Sequence, residues 1–273
     1  MIEMNMKQNV ILGTAWKYKK ELVAIFVESW KKHCADTKLI LLVEPDIDQD
    51  KYDWLVDMGV DVQFFTAGYF VPSAIHNTRY FKYLDILLEN RDKYHRVFLT
   101  DVRDVALQGN IFDEIQDPGL SCFMEDPAWT CEERFNKYIL TTNYGEAVAK
   151  EFEDKRIICS GTTLGDTENV IQYIVTLMNE RGLEKMVKAG GIPDEQAPHN
   201  YIFHKDKLPH VKQENGDGVA TICLTHPDQI KILESGHVSV YGKIPAVIHQ
   251  WDRHPNLIEH YKRLYIRGKY NDF

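Results

Sequence analysis

An uninterrupted apolar run, Val97-Phe98-Leu99, stops abruptly on Thr100-Asp101-Val102-Arg103-Asp104, placing two acids and an arginine where most strands would simply turn. Consecutive apolar residues fit a strand covered on both faces, as in a parallel sheet flanked by helices. In open sheets of that kind ligands bind beyond the carboxyl ends of the strands. Asp101 and Asp104 are therefore expected at that edge. With a tight turn between them, the two carboxylates converge on one hard divalent cation, which would in turn hold a substrate phosphate. The alternative is a strand exit with solvated charges.

The same rhythm runs through the first two-thirds of the chain. Asn9–Gly13, Lys38–Val43, Asp61–Phe65, Leu120–Met124 and Arg156–Cys159 read as strands. Helices are expected over Lys20–His33, where Leu22, Ile25, Phe26, Ser29 and Trp30 share one stripe, and over Asn77–Glu89, where Tyr80, Leu84, Leu87 and Leu88 do. A further helix is expected near Thr167–Arg181. The last third changes to short strands, Thr221–Leu224, Lys231–Leu233, Val238–Tyr241 and Ala246–His249, with a final helix after Pro255. This pattern predicts an α/β fold with a mostly parallel central sheet flanked by helices. No internal repeat or linker interrupts the 273 residues, so a single domain over 1–273 is the economical expectation.

Composition narrows the function classes. A net charge of −9 argues against a nucleic-acid binder, which needs a basic face. Five widely spaced cysteines with no CxxC pair suggest reduced thiols rather than a disulfide framework or a zinc knuckle. No stretch approaches the ~20 apolar residues of a membrane span, and the amino terminus lacks a signal-peptide pattern. A cytoplasmic protein with at most peripheral membrane contact is expected. The basic and aromatic residues of His260–Tyr270 would supply that contact on an anionic surface, against the plainer reading of a solvated terminal helix.

Four other segments carry candidate chemistry. Leu12-Gly13-Thr14-Ala15-Trp16-Lys17 joins the first strand to its helix, where backbone N–H groups meet a nucleotide or the chain simply turns. Arg79, off the apolar stripe near a helix start, is either an anion ligand or a solvated cation. Ile157-Ile158-Cys159-Ser160-Gly161-Thr162-Thr163-Leu164-Gly165 reads as a strand running into a small-residue loop that a polar ligand can approach. Pro193-Asp194-Glu195-Gln196-Ala197-Pro198-His199-Asn200 places a helix start near Glu195, because Pro198 is comfortable only in a first turn. Its acids and amides suit helix capping or a sugar. Val247-Ile248-His249-Gln250-Trp251-Asp252-Arg253 ends an apolar run on a histidine that could complete a metal site, or be structural, with Arg253 able to pair with phosphate.

These pieces, in this order and over most of the chain, resemble metal-dependent glycosyltransferases of the GT-A fold. Asp101 corresponds to the first acid of the family's DxD motif with Asp104 as its partner; Arg103 stands where the second acid is usual, giving DxxD. Glu195-Gln196-Ala197-Pro198-His199-Asn200 is similar to the Asp-Gln-x-x-x-Asn segment of retaining transferases related to glycogenin and the lipopolysaccharide galactosyltransferases, with glutamate in place of aspartate. His249 is similar to the family's late metal-binding histidine.

The resemblance implies Mn²⁺ or Mg²⁺ on Asp101, Asp104 and His249. It implies a nucleoside-diphosphate sugar donor, a UDP-sugar first, held by Gly13, Thr14, Ala15, Lys17, Arg79, Arg103, Ser160, Gly161, Thr162 and Arg253. Asp194, Glu195 and Gln196 would be catalytic, with retention favoured. His199 and Asn200 would meet a glycan or lipid-linked saccharide acceptor. Two rivals stand beside it. One is a phosphohydrolase of the haloacid dehalogenase type, whose nucleophilic aspartate also follows an apolar strand. The other is a non-catalytic nucleotide-sugar or glycan-binding module.

Overall fold

A computed structural model describes residues 7–66, 75–182 and 195–270. The apolar runs become strands β1 (Gln8–Thr14), β2 (Lys38–Val43), β3 (Asp61–Phe64), β4 (Tyr94–Thr100), β5 (Val105–Leu107), β6 (Leu120–Met124), β7 (Ile158–Asp166) and β8 (Val211–Gln213). All but β5 lie in one seven-stranded sheet of order β3-β2-β1-β4-β7-β6-β8. Only β7 runs against its neighbours; the other pairings in this sheet are parallel. The chain is thus an α/β protein with a mostly parallel sheet.

Helices α1 (Lys20–His33), α2 (Gln49–Asp57), α3 (Ile75–Glu89), α4 (Ile111–Glu114), α5 (Arg134–Tyr144), α6 (Glu146–Glu151) and α7 (Thr167–Arg181) alternate with these strands. Successive residues of β4 point to opposite faces, as strand geometry requires. Val97 and Leu99 pack among Tyr83 and Leu87 of α3 and Tyr173 and Ile174 of α7. Phe98 packs on the other face with Phe26 and Trp30 of α1. Fully burying one such side chain is worth about 1.5–3 kcal/mol, which is why an apolar run without alternation settles in the middle of the sheet.

The strand expected at Arg156–Cys159 continues through Asp166, so Ser160–Gly165 is sheet interior and not a loop. Thr162 and Thr163 are β-branched and suit a strand, and the glycines serve close approach rather than a turn. Because β7 is antiparallel to β4, with Thr100 opposite Thr162, Gly161 lies just beyond the end of β4.

A second sheet is built by β5 with β9 (Val219–Thr221) and β12 (Val247–His249), in the order β5-β12-β9. Strands β10 (Ile230–Ile232) and β11 (Val238–Val240) form a separate hairpin. The small sheet and the carboxyl-terminal residues bury Ala24 and Ile25 of α1 on the side away from Phe26. This explains why α1 is buried from Val23 through Val27 rather than along one stripe.

Helices α8 (Gln196–His204) and α9 (Pro255–Tyr261) complete the described fold. After α9 a π-helical turn, Lys262–Ile266, carries Tyr265 and Ile266 into the same core as Tyr261. The aromatic residues expected to face a membrane are therefore largely inward, and Arg267 and Lys269 pair with Glu259 and Glu28. Among the described residues no helix is long and apolar enough to cross a membrane.

One side chain fastens α8 to the sheet. Asn200, 1% exposed, accepts from the Ile158 N–H and donates to the Ile158 carbonyl, each at 2.9 Å, and donates to the Gln196 carbonyl at 2.8 Å. Asn200→Ala would leave two buried backbone groups of β7 without partners. A loss of about 3 kcal/mol in urea unfolding is expected; a loss under 0.5 kcal/mol would dismiss the clamp.

Candidate active site at the carboxyl edge of the sheet

Asp101 is the first residue past β4, and its N–H donates to the Gly161 carbonyl at 2.8 Å. The chain then turns inward on Val102 and enters β5 at Val105. Strand β12 runs antiparallel to β5 with His249 opposite Val105, and the Gln250 N–H donates to the Asp104 carbonyl at 2.7 Å. That register delivers the imidazole to both acids. His249 Nε2 lies 3.5 Å from Asp101 Oδ2 and 3.8 Å from Asp104 Oδ1. One donor atom from each of the three residues falls within 4.8 Å of the others.

The chemistry of this trio fits a divalent cation. His249 is 1% exposed, and its Nε2 has no hydrogen-bond partner although it faces two carboxylates. On the other side of the ring, Nδ1 is 3.4 Å from both Cys159 Sγ and Thr221 Oγ1, contacts that set the ring's orientation. Gly161 makes the convergence possible. A Cβ there would lie 2.5 Å from His249 Cε1 and 2.6 Å from Asp101 Oδ2.

Charge is arranged tightly around the trio. Arg79 Nη1 donates to Asp101 Oδ1 at 2.6 Å, and Nη2 lies 3.6 Å from Glu195 Oε1. Burial works against the charge on Asp101, but Arg79 and His249 outweigh it and hold the carboxyl well below its usual range. Asp104 moves the other way: burial raises it, Asp101 and Asp252 add to the rise, and His249 and Arg103 oppose it. Burial likewise disfavours charge on His249, yet Cys159 and the two aspartates more than compensate, so its pKa is raised. A proton there competes with any metal for the same nitrogen.

Two compartments meet at these acids. The first, about 230 Å³, is lined by Thr14, Trp16, Tyr18, His76 and Arg79 and has aromatic walls. The second, about 350 Å³, is lined by Glu125, Asn136, Ser160, Gly161, Glu195 and Gln196, with Arg253 at the same cleft. Asp101, Arg103 and Asp104 line both.

The expected site residues divide accordingly. Thr14 lines the first compartment, its hydroxyl 2.7 Å from the Tyr83 hydroxyl. Gly13 lies behind it, where a Cβ would strike Val102 at 2.4 Å, and Ala15 is part of the core. Lys17 has its ammonium 3.6 Å from Asp46 and does not line either compartment. Its N–H donates to Glu44 at 2.6 Å. Arg103 is 3.3 Å from Asp104 and 3.1 Å from Asp252, while Arg253 also pairs with Asp252 at 2.7 Å. Thr162 is fully buried inside β7 and out of reach of a ligand.

His199 and Asn200, expected at an acceptor, are core residues instead. His199 is completely buried, with Nδ1 2.7 Å from the Tyr173 hydroxyl, and burial pushes its pKa down to about 3. One helical turn, about 5.4 Å, separates Asn200 from Gln196 at the cleft, so polar residues deeper in α8 serve packing. Asp194 lies outside the described residues.

Several lining residues were not expected from sequence. Glu125, 4% exposed, is pushed up to about 7 by burial, with Glu133 and Asp126 adding to the rise and His249 and Gln196 opposing it. It directly follows β6, which runs parallel to β4, so the signal that singled out Asp101, an acid after an apolar strand, was present here too. Asn136 and Glu133 come from α5 and its cap, which carry no such signal.

Compared with known proteins, the chain matches no family model and no curated protein sequence. If Gly161 is the spacer that lets the trio converge, Gly161→Ala should weaken Mn²⁺ binding at least ~10-fold, as read by the paramagnetic resonance of free Mn²⁺, while the fold survives. Unchanged affinity would mean the trio does not hold the ion.

Proposed function

We propose that the chain is a metal-dependent glycosyltransferase of GT-A type that transfers a sugar from a nucleoside-diphosphate donor, a UDP-sugar first, to a glycan or lipid-linked saccharide. The observation that carries this reading is the placement of Asp101, Asp104 and His249 at the seam between an aromatic-walled compartment and one lined by acids and amides. A diphosphate is the part of a nucleotide sugar that joins the nucleoside to the transferred sugar, and the acids stand between the two compartments at the corresponding point.

Asp101, Asp104 and His249 would hold Mn²⁺ or Mg²⁺, with the imidazole tilting the choice towards Mn²⁺, since Mg²⁺ favours all-oxygen shells. When bound, the ion neutralises charge on the diphosphate and on the departing nucleotide. Trp16, Tyr18 and His76 offer ring faces to a base in the first compartment. Arg103 and Arg253 stand beside the acids as additional cations for phosphate oxygens. Arg79 lines the first compartment and pairs with Asp101 and Glu195, so it orients the acids beside the diphosphate.

On the sugar side Gln196 is firmly placed. Its Nε2 donates to Asn136 Oδ1 at 2.8 Å, and its Oε1 lies 3.4 Å from the Ser160 N–H. Glu195 and Gln196 are the groups available to the anomeric carbon on the side away from the diphosphate, and retention of configuration is the outcome we assign.

Release of UDP from a panel of UDP-sugars should depend on Mn²⁺, vanish in EDTA and fall at least ~100-fold in Asp101→Asn, the scale of losing one preorganised electrostatic group. Full turnover in chelator would refute the metal's role. Tight UDP binding without turnover on any acceptor would instead identify a binding module.

A further inference from the structure

Two carboxylates of the second compartment keep hydrogen-bonding capacity in reserve. The amides beside them are engaged: Glu133 accepts from Asn136 Nδ2 at 3.0 Å, Asn136 Oδ1 accepts from Gln196 Nε2 at 2.8 Å, and Gln196 Oε1 faces the Ser160 N–H at 3.4 Å. The guanidiniums at this cleft pair with other acids, Arg103 with Asp104 and Asp252, and Arg253 with Asp252. Glu195 is 5% exposed, and its Oε2 is buried with no partner. Glu125 is 4% exposed and lines the same space. Among the described residues no cation forms an ion pair with it; the Gln196 amide favours its charged form, and a weak hydrogen bond reaches its Oε2 from the Cys223 thiol at 4.0 Å. Burial raises the Glu125 pKa to about 7; once it is ionised its oxygens only accept hydrogen bonds, so the group it meets must donate.

We propose that Glu125, together with Glu195, is the specificity-determining pair for the transferred sugar, receiving its hydroxyls and restricting the donor to uncharged sugars while rejecting uronic acids. The inference rests on the reading of the cleft as a nucleotide-sugar site and names the class of sugar it takes. A neutral hexose or an N-acetylhexosamine brings O–H or N–H donors to these oxygens. A uronic acid brings a carboxylate, which donates nothing when ionised and meets like charge at short range in a partly desolvated space. The positive charge of a bound cation does not remove this penalty, because the donor's own diphosphate offsets it.

The test measures binding of UDP, UDP-glucose, UDP-galactose, UDP-N-acetylglucosamine and UDP-glucuronate by calorimetry with Mn²⁺ present at about pH 8, where Glu125 is ionised. It compares the unaltered protein, Glu125→Gln and Glu125→Ala. In the unaltered protein at least one neutral UDP-sugar should bind about tenfold or more tighter than UDP-glucuronate, a comparison that needs no variant to fold. In Glu125→Ala the advantage of that sugar over UDP should fall about tenfold, the scale of one charge-assisted hydrogen bond, with UDP itself held within twofold. Glu125→Gln should recover affinity for UDP-glucuronate.

Equal binding of UDP-glucuronate and the neutral sugars, or a variant that weakens UDP and UDP-sugar alike, would overturn the assignment of Glu125. Failure of UDP itself to bind the unaltered protein with Mn²⁺ would overturn the nucleotide-sugar reading beneath it, and the two failures are distinguishable in one data set.

Discussion

The site depends on one buried guanidinium. Arg79 rises from α3 beneath the end of β4 and is 5% exposed, yet it carries a full charge. Withdrawing such a group from water costs several kcal/mol, and only well-placed counter-charges offset it. Asp101 provides one at 2.6 Å and Glu195 a second at 3.6 Å. These two acids come from different elements, one following the central strand and the other at the start of α8. A charge that must be satisfied from both sides fixes the distance between them. Removing either acid would leave Arg79 half-paired in the interior, so the spacing of the cleft is coupled to the stability of the fold.

Around that pair the acids of the cleft are held in different states. Asp101 is held in its charged form chiefly by Arg79, whereas burial raises the pKa of Asp104, with Asp101 and Asp252 adding to the rise. Such divergence is expected when like charges share a small volume with too few cations. A divalent ion brought to the trio would relieve the repulsion on both acids at once, which is the electrostatic reason for assigning it there.

Much of the architecture was legible because the local signals agree with the global fold. The bounds of α1, β2, β6 and α7 follow those read from apolar runs and stripes. Helices α2, α5 and α6 are shorter and more polar than α1 and α7, and were not visible. Strand β5 is three residues long and has meaning only through its partner β12. The site shows the same limit. Asp101 and His249 were legible because each ends an apolar run, and Asp104 because it stands three residues from Asp101. Glu195 and His199 look alike as polar residues near a helix start, and only depth along α8 separates a cleft acid from a core imidazole. Ser160 to Gly165 was misread because small residues favour loops unless a neighbouring side chain needs the space, and that neighbour, His249, is 88 residues further along the chain from Gly161.

The extra residue between the two acids follows from packing. Val102 is 1% exposed and fills the space that the missing side chain of Gly13 leaves open, since a Cβ on Gly13 would lie 2.4 Å from Val102 Cγ2. With Val102 driven inward, residue 103 is carried outward, and its side chain meets Asp252 at 3.1 Å. An acid at 103 would face Asp252 and repel it. An arginine there is attracted to it and also reaches Asp104 at 3.3 Å. The second carboxylate must therefore come from residue 104, where the turn into β5 brings the chain back towards His249. Asp104 and Arg103 are thus two consequences of one contact, the seating of Val102 on Gly13.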